Sequence, residues 1–299
     1  MSSRSALDRR SARIDWSRSA GSAAISLACA FLVAMGACVA QAAAPSATPA
    51  SAPASNPELG AREMMEKNFF VSKLKSLRSE ATMVLVNDKG QTRERKSTTL
   101  QVLQPNGVDS KLLVKFSTPA DIKGTAFLQV EHSDADDDEW LYLPALGKSR
   151  RLVANNKKDS FVGSDFSYGD ISLPKVDLYQ HRLVRSEVVG GEDCYVIESV
   201  PKSETTQADF GYARKITWLR KDNFLETRVE YYDLSGRLLK TQLVTGHKLV
   251  EPDTHRWMAL RREMTNQQTG HKTVFTFDTV EAGVSVPPDL FTTRYLERE

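Results

Sequence analysis

From residue 80 to residue 281 the chain is a succession of short strand-like segments parted by turns, with no helical period between them. The segments are Glu80–Asn87, Thr92–Gln104, Ser110–Ser117, Thr125–His132, Asp138–Leu143, Ser149–Val153, Tyr179–Val189, Glu192–Val200, Tyr212–Arg220, Phe224–Asp233, Arg237–His247, Arg256–Thr265 and His271–Glu281. Many alternate apolar with polar residues, as in Lys215-Ile216-Thr217-Trp218 and Phe275-Thr276-Phe277-Asp278. A period of two marks a half-buried antiparallel sheet. The connections carry turn chemistry: Asp88-Lys89-Gly90, Pro105-Asn106-Gly107, Gly190-Gly191, Asp222-Asn223, Ser235-Gly236 and Gln268-Thr269-Gly270. So many antiparallel strands cannot stay flat; they curl toward a barrel or split into a sandwich. A curled sheet has a concave face able to enclose a cavity. The absence of strand–helix alternation excludes a doubly wound nucleotide-binding sheet.

The N-terminal region follows other rules. Arg4, Arg9, Arg10, Arg13 and Arg18 precede an Ala-rich apolar run from Ala23 to Ala40, and Ala40-Gln41-Ala42 reads as a cleavage site. That order is expected of a secretory signal peptide over residues 1–42. An uncleaved anchor is the alternative, but the run is near the lower length limit for a span. Met35-Gly36-Ala37-Cys38 is a second alternative, a lipoprotein box with Met where Leu is usual, anchoring the chain at Cys38. Without residues 1–42, Lys and Arg fall from 40 to 35 and Asp and Glu from 38 to 36, a net charge of −1. The basic balance of the whole chain thus belongs to the signal, and a nucleic-acid role loses its electrostatic support. Of three cysteines only Cys194 remains, so no internal disulfide is expected despite an oxidising destination. Residues 43–56, almost only Ala, Pro, Ser and Thr, read as a disordered linker before a single domain over 57–299.

A helix is expected next. Asn56-Pro57-Glu58 offers an N-cap, a first-turn Pro and an acid at the positive dipole end. Ala61, Met64, Met65, Phe69 (or Phe70) and Leu74 then recur at helical spacing to about Ser76. A face rich in Met and Phe suits packing on a sheet or covering a cavity whose ligand varies in shape.

Catalytic patterns fail one by one. Gly163-Ser164-Asp165 is no nucleophile elbow. Cys194 sits in the apolar run Cys194-Tyr195-Val196-Ile197 and reads as a structural thiol. His132, His181, His247, His255 and His271 have no metal-ligand spacing, and the acidic cluster Asp134–Glu139 lacks the Gly and the distant Glu of a calcium loop. No Gly-rich loop has phosphate-cradle spacing. An enzyme, a metal and a cofactor are therefore not expected. Two constellations remain. One is the apolar inventory Met64, Met65, Phe69, Phe70, Phe127, Trp140, Tyr142, Trp218, Tyr231 and Trp257, mostly core, with a subset able to line a pocket for an acyl chain. The other is the basic segment Lys148–Lys158 beside the acidic turn, either a solvated hairpin or a docking surface for a charged partner or an anionic headgroup.

The densest stretch of the chain carries a resemblance. Trp140-Leu141-Tyr142-Leu143-Pro144-Ala145-Leu146, Arg150-Arg151-Leu152, and Ser160-Phe161-Val162-Gly163-Ser164-Asp165-Phe166-Ser167-Tyr168-Gly169-Asp170 resemble the signature of the outer membrane lipoprotein-sorting protein family. Phe116–Thr125, Tyr231–Lys240 and Leu290-Phe291-Thr292 are similar to other parts of that family, and the similarity runs from Glu58 to Leu296. Gly169 departs from it, standing where an acidic residue is common. The resemblance implies a fold like the LolA and LolB lipoprotein carriers: a mainly β, strongly curved antiparallel half-barrel of about 11–13 strands. An N-terminal helix and short helical segments would cover its concave face. It implies a periplasmic carrier for lipid or lipoprotein acyl chains, a monomer, with no catalytic residues; the alternative is an adaptor that docks on an inner-membrane transporter of the resistance-nodulation-division type. The expected cavity residues are Met64, Met65, Phe69, Phe127, Trp140, Tyr142, Phe161 and Trp218; the expected partner or headgroup contacts are Arg150, Arg151, Lys157 and Lys158.

Overall fold

The computed structural model describes residues 59–153, 157–172 and 175–298. The expected signal peptide (1–42), the linker (43–56) and the Asn56-Pro57-Glu58 helix start lie outside the described residues.

Thirteen strands form one antiparallel sheet: β1 (Ser76–Val86), β2 (Thr92–Leu103), β3 (Ser110–Thr118), β4 (Ala126–Val130), β5 (Asp138–Leu143), β6 (Lys148–Leu152), β7 (Tyr179–Val189), β8 (Glu192–Pro201), β9 (Arg214–Arg220), β10 (Glu226–Tyr232), β11 (Leu238–Glu251), β12 (Arg256–Asn266) and β13 (Lys272–Ala282). Each expected strand is present, with ends shifted by a few residues. The order is β6-β5-β4-β3-β2-β1-β13-β12-β11-β10-β9-β8-β7. Every neighbour but one is a sequential hairpin. The exception is β1 with β13, paired from Leu77 opposite Ala282 to Val86 opposite Lys272, which joins two meanders at the centre. The sheet is open, with β6 and β7 as its edges. Register shifts interrupt the β1–β13, β2–β3, β7–β8, β9–β10, β10–β11 and β11–β12 ladders. Such bulges bend strands and add twist, which curls a wide sheet into a half-barrel.

This topology makes one demand. The chain leaves the β6 edge and must re-enter at the β7 edge, so the segment that contains residues 157–172 has to cross the sheet. The crossing segment packs on the inner face. Phe161 and Phe166, both almost wholly buried, meet Phe116 and Phe127 of the first meander and Phe275 of β13. The outer face of β3 to β5 is covered separately. Leu113, Ala126, Leu128 and Tyr142 pack under Phe291 and Leu296, the latter in a terminal turn of helix (Thr293–Leu296), with Leu290 against the same cluster.

The N-terminal helix α1 spans Ala61–Val71, with Gly60 extended at its start. It is shorter than expected, ending before Ser72 rather than near Ser76. The apolar spacing misleads past Val71. Leu74 is buried, but Lys73 has already turned in to a buried ion pair with Glu131, whose carboxylate also accepts from the N–H and hydroxyl of Ser110. A buried charge needs that partner, so tertiary contact sets the helix end. The position of a second helix was not foreseen. The segment Glu204–Phe210, between β8 and β9, is capped by Ser203, whose hydroxyl accepts from Thr206 N, and ends at left-handed Gly211. Seven residues are too few for a periodic signal, although Ser, Glu and Gly stand where caps require them.

Candidate ligand cavity

The crossing segment is bolted to both meanders, and the chemistry of each bolt differs. Toward β3 and β4 the contact is aromatic: the Phe161 ring lies 6.0 Å from Phe116, 5.7 Å from Phe127 and 5.4 Å from Tyr168. Toward β11 and β13 it is polar. Asp165 N donates to Thr273 Oγ1 at 3.0 Å, and that hydroxyl donates back to Asp165 Oδ2 at 2.7 Å. Lys240 Nζ reaches Asp165 O at 3.0 Å and Asp170 Oδ2 at 2.6 Å. Asp170 also accepts from Ser167 N at 2.8 Å and from Tyr212 Oη at 3.0 Å. Burial pushes the Asp170 carboxyl up, but Lys240 and Lys215 outweigh it and hold the group below its ordinary value. Asp170 is thus ionised and fully engaged.

Gly169 now has a steric reason. A Cβ there would stand 2.8 Å from Phe210 Cδ1 and 3.1 Å from Lys157 O. Phe210, from the unforeseen helix, occupies the space that any side chain at 169 would need.

Between α1, the crossing segment and the inner face of both meanders lies a cavity of about 230 Å³. Met65 and Phe69 form its roof, Phe161, Phe166 and Ile171 one wall, and Val114, Tyr231 and Phe275 part of its floor. Its polar end holds Lys215, Tyr179 and His181. Lys215 Nζ sits over four rings, Tyr179 (5.4 Å), Phe210 (5.6 Å), Tyr212 (5.1 Å) and Tyr231 (5.2 Å). Burial lowers its pKa to about 8, against the pull of Asp170. His181 donates from Nε2 to Val176 O at 3.0 Å and accepts at Nδ1 from Ser199 at 2.8 Å, and burial keeps it below its ordinary value. It is a neutral, internally satisfied ring. Arg262 and Glu226, also on the wall, pair at 3.5 Å.

A second cleft of about 630 Å³ opens between Phe69 and Phe70 of α1 and the acidic turn. There Lys175 holds the turn together, donating to Ala135 O at 2.7 Å and pairing with Asp137 at 3.0 Å. Glu139 lines this cleft, and burial raises its pKa to about 7, with Lys157 opposing and Asp137 reinforcing.

The expected cavity residues separate. Met65, Phe69 and Phe161 line the cavity, as do Tyr231 and Trp257. Met64 lies instead beneath α1 against Ile197 and Leu219, and Phe127 lies behind Phe161. Trp140, Tyr142 and Trp218 are corrected outright, because they face away from the cavity. Trp140 and Tyr142 pack under the C-terminal segment, and Trp218 is capped by Arg185 and Arg228 with its Nε1 donating to Glu187 at 3.1 Å. Strand alternation explains the error. In β9 the apolar Ile216 and Trp218 point outward, while Lys215 and Thr217 point into the cavity, inverting the usual reading. Of the basic residues, Arg150 and Arg151 are exposed on the edge strand β6, Arg151 pairing with Asp138. Lys157 Nζ lies 5.2 Å over the Phe210 ring, and Lys158 is exposed beside Gly211. Lys215, Lys240, Tyr179, Tyr212 and Phe210 were missed. No spacing links them; an inward lysine in an alternating strand is the one faint signal. Among the described residues no three His, Cys, Asp or Glu side chains converge as metal ligands, and no helix is long and apolar enough to cross a membrane.

An open antiparallel half-barrel, roofed by a helix and crossed inside by a segment that leaves an apolar cavity, defines a LolA-like fold. A family model described as "Uncharacterized protein" matches residues 108–298. No curated protein matches the chain. Among solved structures, an outer membrane lipoprotein-sorting protein domain from Vibrio parahaemolyticus is 30% identical, with 80% of this chain and 98% of that one covered and a TM-score of 0.73. A DUF1329 family protein from Desulfovibrio piger is also 30% identical, covering 79% and 97%, with a TM-score of 0.72. A LolA superfamily protein from Nitrosomonas europaea, 20% identical, shares the fold, covering 80% and 100% with a TM-score of 0.62. The chain belongs to the outer membrane lipoprotein-sorting protein family.

Proposed function

We propose that this protein is a periplasmic carrier that shields an acyl-bearing ligand in the cavity of its half-barrel. The observation that carries this reading is the cavity itself, lined by Met65, Phe69, Phe161 and Phe275 beneath a single helix. Burying an acyl chain gains about 0.8 kcal/mol per CH₂ and needs no directional chemistry. The volume of 230 Å³ is below the range of about 300–1,000 Å³ for small-molecule pockets. A long chain therefore requires α1 to lift. Its grip on the sheet centres on one buried side chain, Met64. Met65 and Phe69 then contact the ligand, and flexible Met side chains suit varied chains. The name of the Vibrio relative supports a role in lipoprotein sorting. The adaptor alternative, docking through Arg150, Arg151, Lys157 and Lys158, calls for a solidly packed interior, and the cavity favours the carrier.

Native mass spectrometry of the protein purified from a Gram-negative host tests the reading, together with displacement of a fluorescent acyl probe. Bound lipid, and weaker probe binding in Met65→Glu and Phe69→Asp, are expected. A protein that is empty and ignores the probe would sink the proposal.

A further inference from the structure

The carrier reading leaves the ligand's head group open, and the polar end of the cavity bears on it. Lys215 is 8% exposed, yet its ammonium has no hydrogen-bond acceptor among the described residues. Aromatic faces surround it, and such faces stabilise a cation without accepting its N–H groups in line. The carboxylate that acts on it most strongly, Asp170, is already occupied by Lys240, Tyr212 and Ser167 N. A second donor stands beside it unused: the Tyr179 hydroxyl is buried and has no partner among the described residues. Buried donors are normally satisfied, and an unmet one calls for an explanation such as a bound ligand.

The charges fix the sign and the size of what is missing. Lys240 is matched by Asp170, Arg262 by Glu226, Lys175 by Asp137, and His181 is neutral. One positive charge is left, on Lys215. Two donors, one of them charged, match the two oxygens of a monoanion. A phosphate dianion would bring an excess negative charge.

We propose, building on the carrier reading, that the cavity takes a single-chain amphiphile with a carboxylate head, held by Lys215 and Tyr179, its chain running toward Met65 and Phe69. The depressed proton affinity of Lys215 agrees with this, since a ligand carboxylate would supply a stabilisation that the surrounding rings do not.

The test compares dodecanoate with methyl dodecanoate by calorimetric titration of the purified protein at pH 7. The two probes share a chain and differ in charge. Wild type is expected to prefer the carboxylate by about tenfold or more, the weight of a charge-assisted hydrogen bond. Lys215→Met should erase that preference, so that acid and ester bind alike. Tyr179→Phe, which keeps every charge, should reduce the preference partially, and thermal unfolding checks that both variants fold. Equal binding of acid and ester by wild type overturns the proposal while leaving the carrier reading intact. A preference that persists in Lys215→Met also overturns it. Binding of neither probe removes both readings.

Discussion

Lys215→Met should make the protein more stable at neutral pH. In the unfolded chain the ammonium has its ordinary pKa of 10.5, and in the folded protein burial lowers it to about 8. At 1.36 kcal/mol per pKa unit, this penalty on the charged form is on the order of 3 kcal/mol. The four ring faces return roughly 1–2 kcal/mol of it. Methionine has similar length, carries no charge and suits the aromatic surroundings. A net gain of about 1–2 kcal/mol at pH 7 is therefore expected. The sign follows from proton counting. Below pH 8 both states hold the proton and the wild type carries the whole penalty. Between about 8 and 10.5 the unfolded lysine keeps a proton that the folded one has released, so wild-type stability rises with pH. The methionine variant lacks that rise, and its advantage should vanish as pH approaches 10.5. Other titrating groups cancel in the comparison, while Asp170, Lys240 and Glu226, which act on Lys215, remain in both proteins. Urea unfolding of both proteins at pH 7 and 9.5 measures the effect. A variant less stable than wild type at pH 7 would refute the reasoning, because Lys215 would then be a net structural contributor.

Three further perturbations probe the crossing segment and its surroundings. Phe161→Ala removes a wholly buried ring wedged among Phe116, Phe127 and Tyr168 and should cost about 3–5 kcal/mol in denaturant unfolding. Gly169→Ala puts a methyl group against Phe210 and should cost about 1–3 kcal/mol; combined with Phe210→Leu, the total should fall below the sum of the single changes. Glu139, raised from 4.5 to about 7, keeps in the folded state a proton that the unfolded chain releases, so its contribution to stability is present at low pH and is lost as pH rises to 7. Wild type minus Glu139→Gln should therefore decline by on the order of 2–3 kcal/mol between pH 4.5 and 8 in urea midpoints, and a flat difference would contradict a buried, protonated Glu139.

How much could be read in advance differs by level. The thirteen strands, their turns and the Met/Phe helix follow from local patterns, because a period of two or of 3.6 is written in neighbouring residues. The stretch Trp140–Asp170 was legible as the centre of the protein, although its two halves do different work. Phe161 and Asp170 fasten the crossing segment inside the half-barrel, while Trp140 and Tyr142 sit on the opposite face of the sheet. That division could not be read, because a one-residue choice of register exchanges the faces of a strand. Lys215 shows the consequence: beside Ile216 and Trp218 it looked like the solvated side of β9, yet it faces the cavity.

By itself, the sequence determined a wide antiparallel sheet with one helix upon it, and chemistry without catalytic spacing. Only the tertiary structure decided that β1 pairs with β13, that the two edges force residues 157–172 across the inner face, and that this crossing leaves room for a ligand. Hairpins are local and their cost of closure is small. The β1–β13 pairing joins residues some 200 positions apart, and the aromatic ring of groups around Lys215 draws on β7, the short helix before β9, the turn after it and β10 at once. No window of neighbouring residues contains such a site.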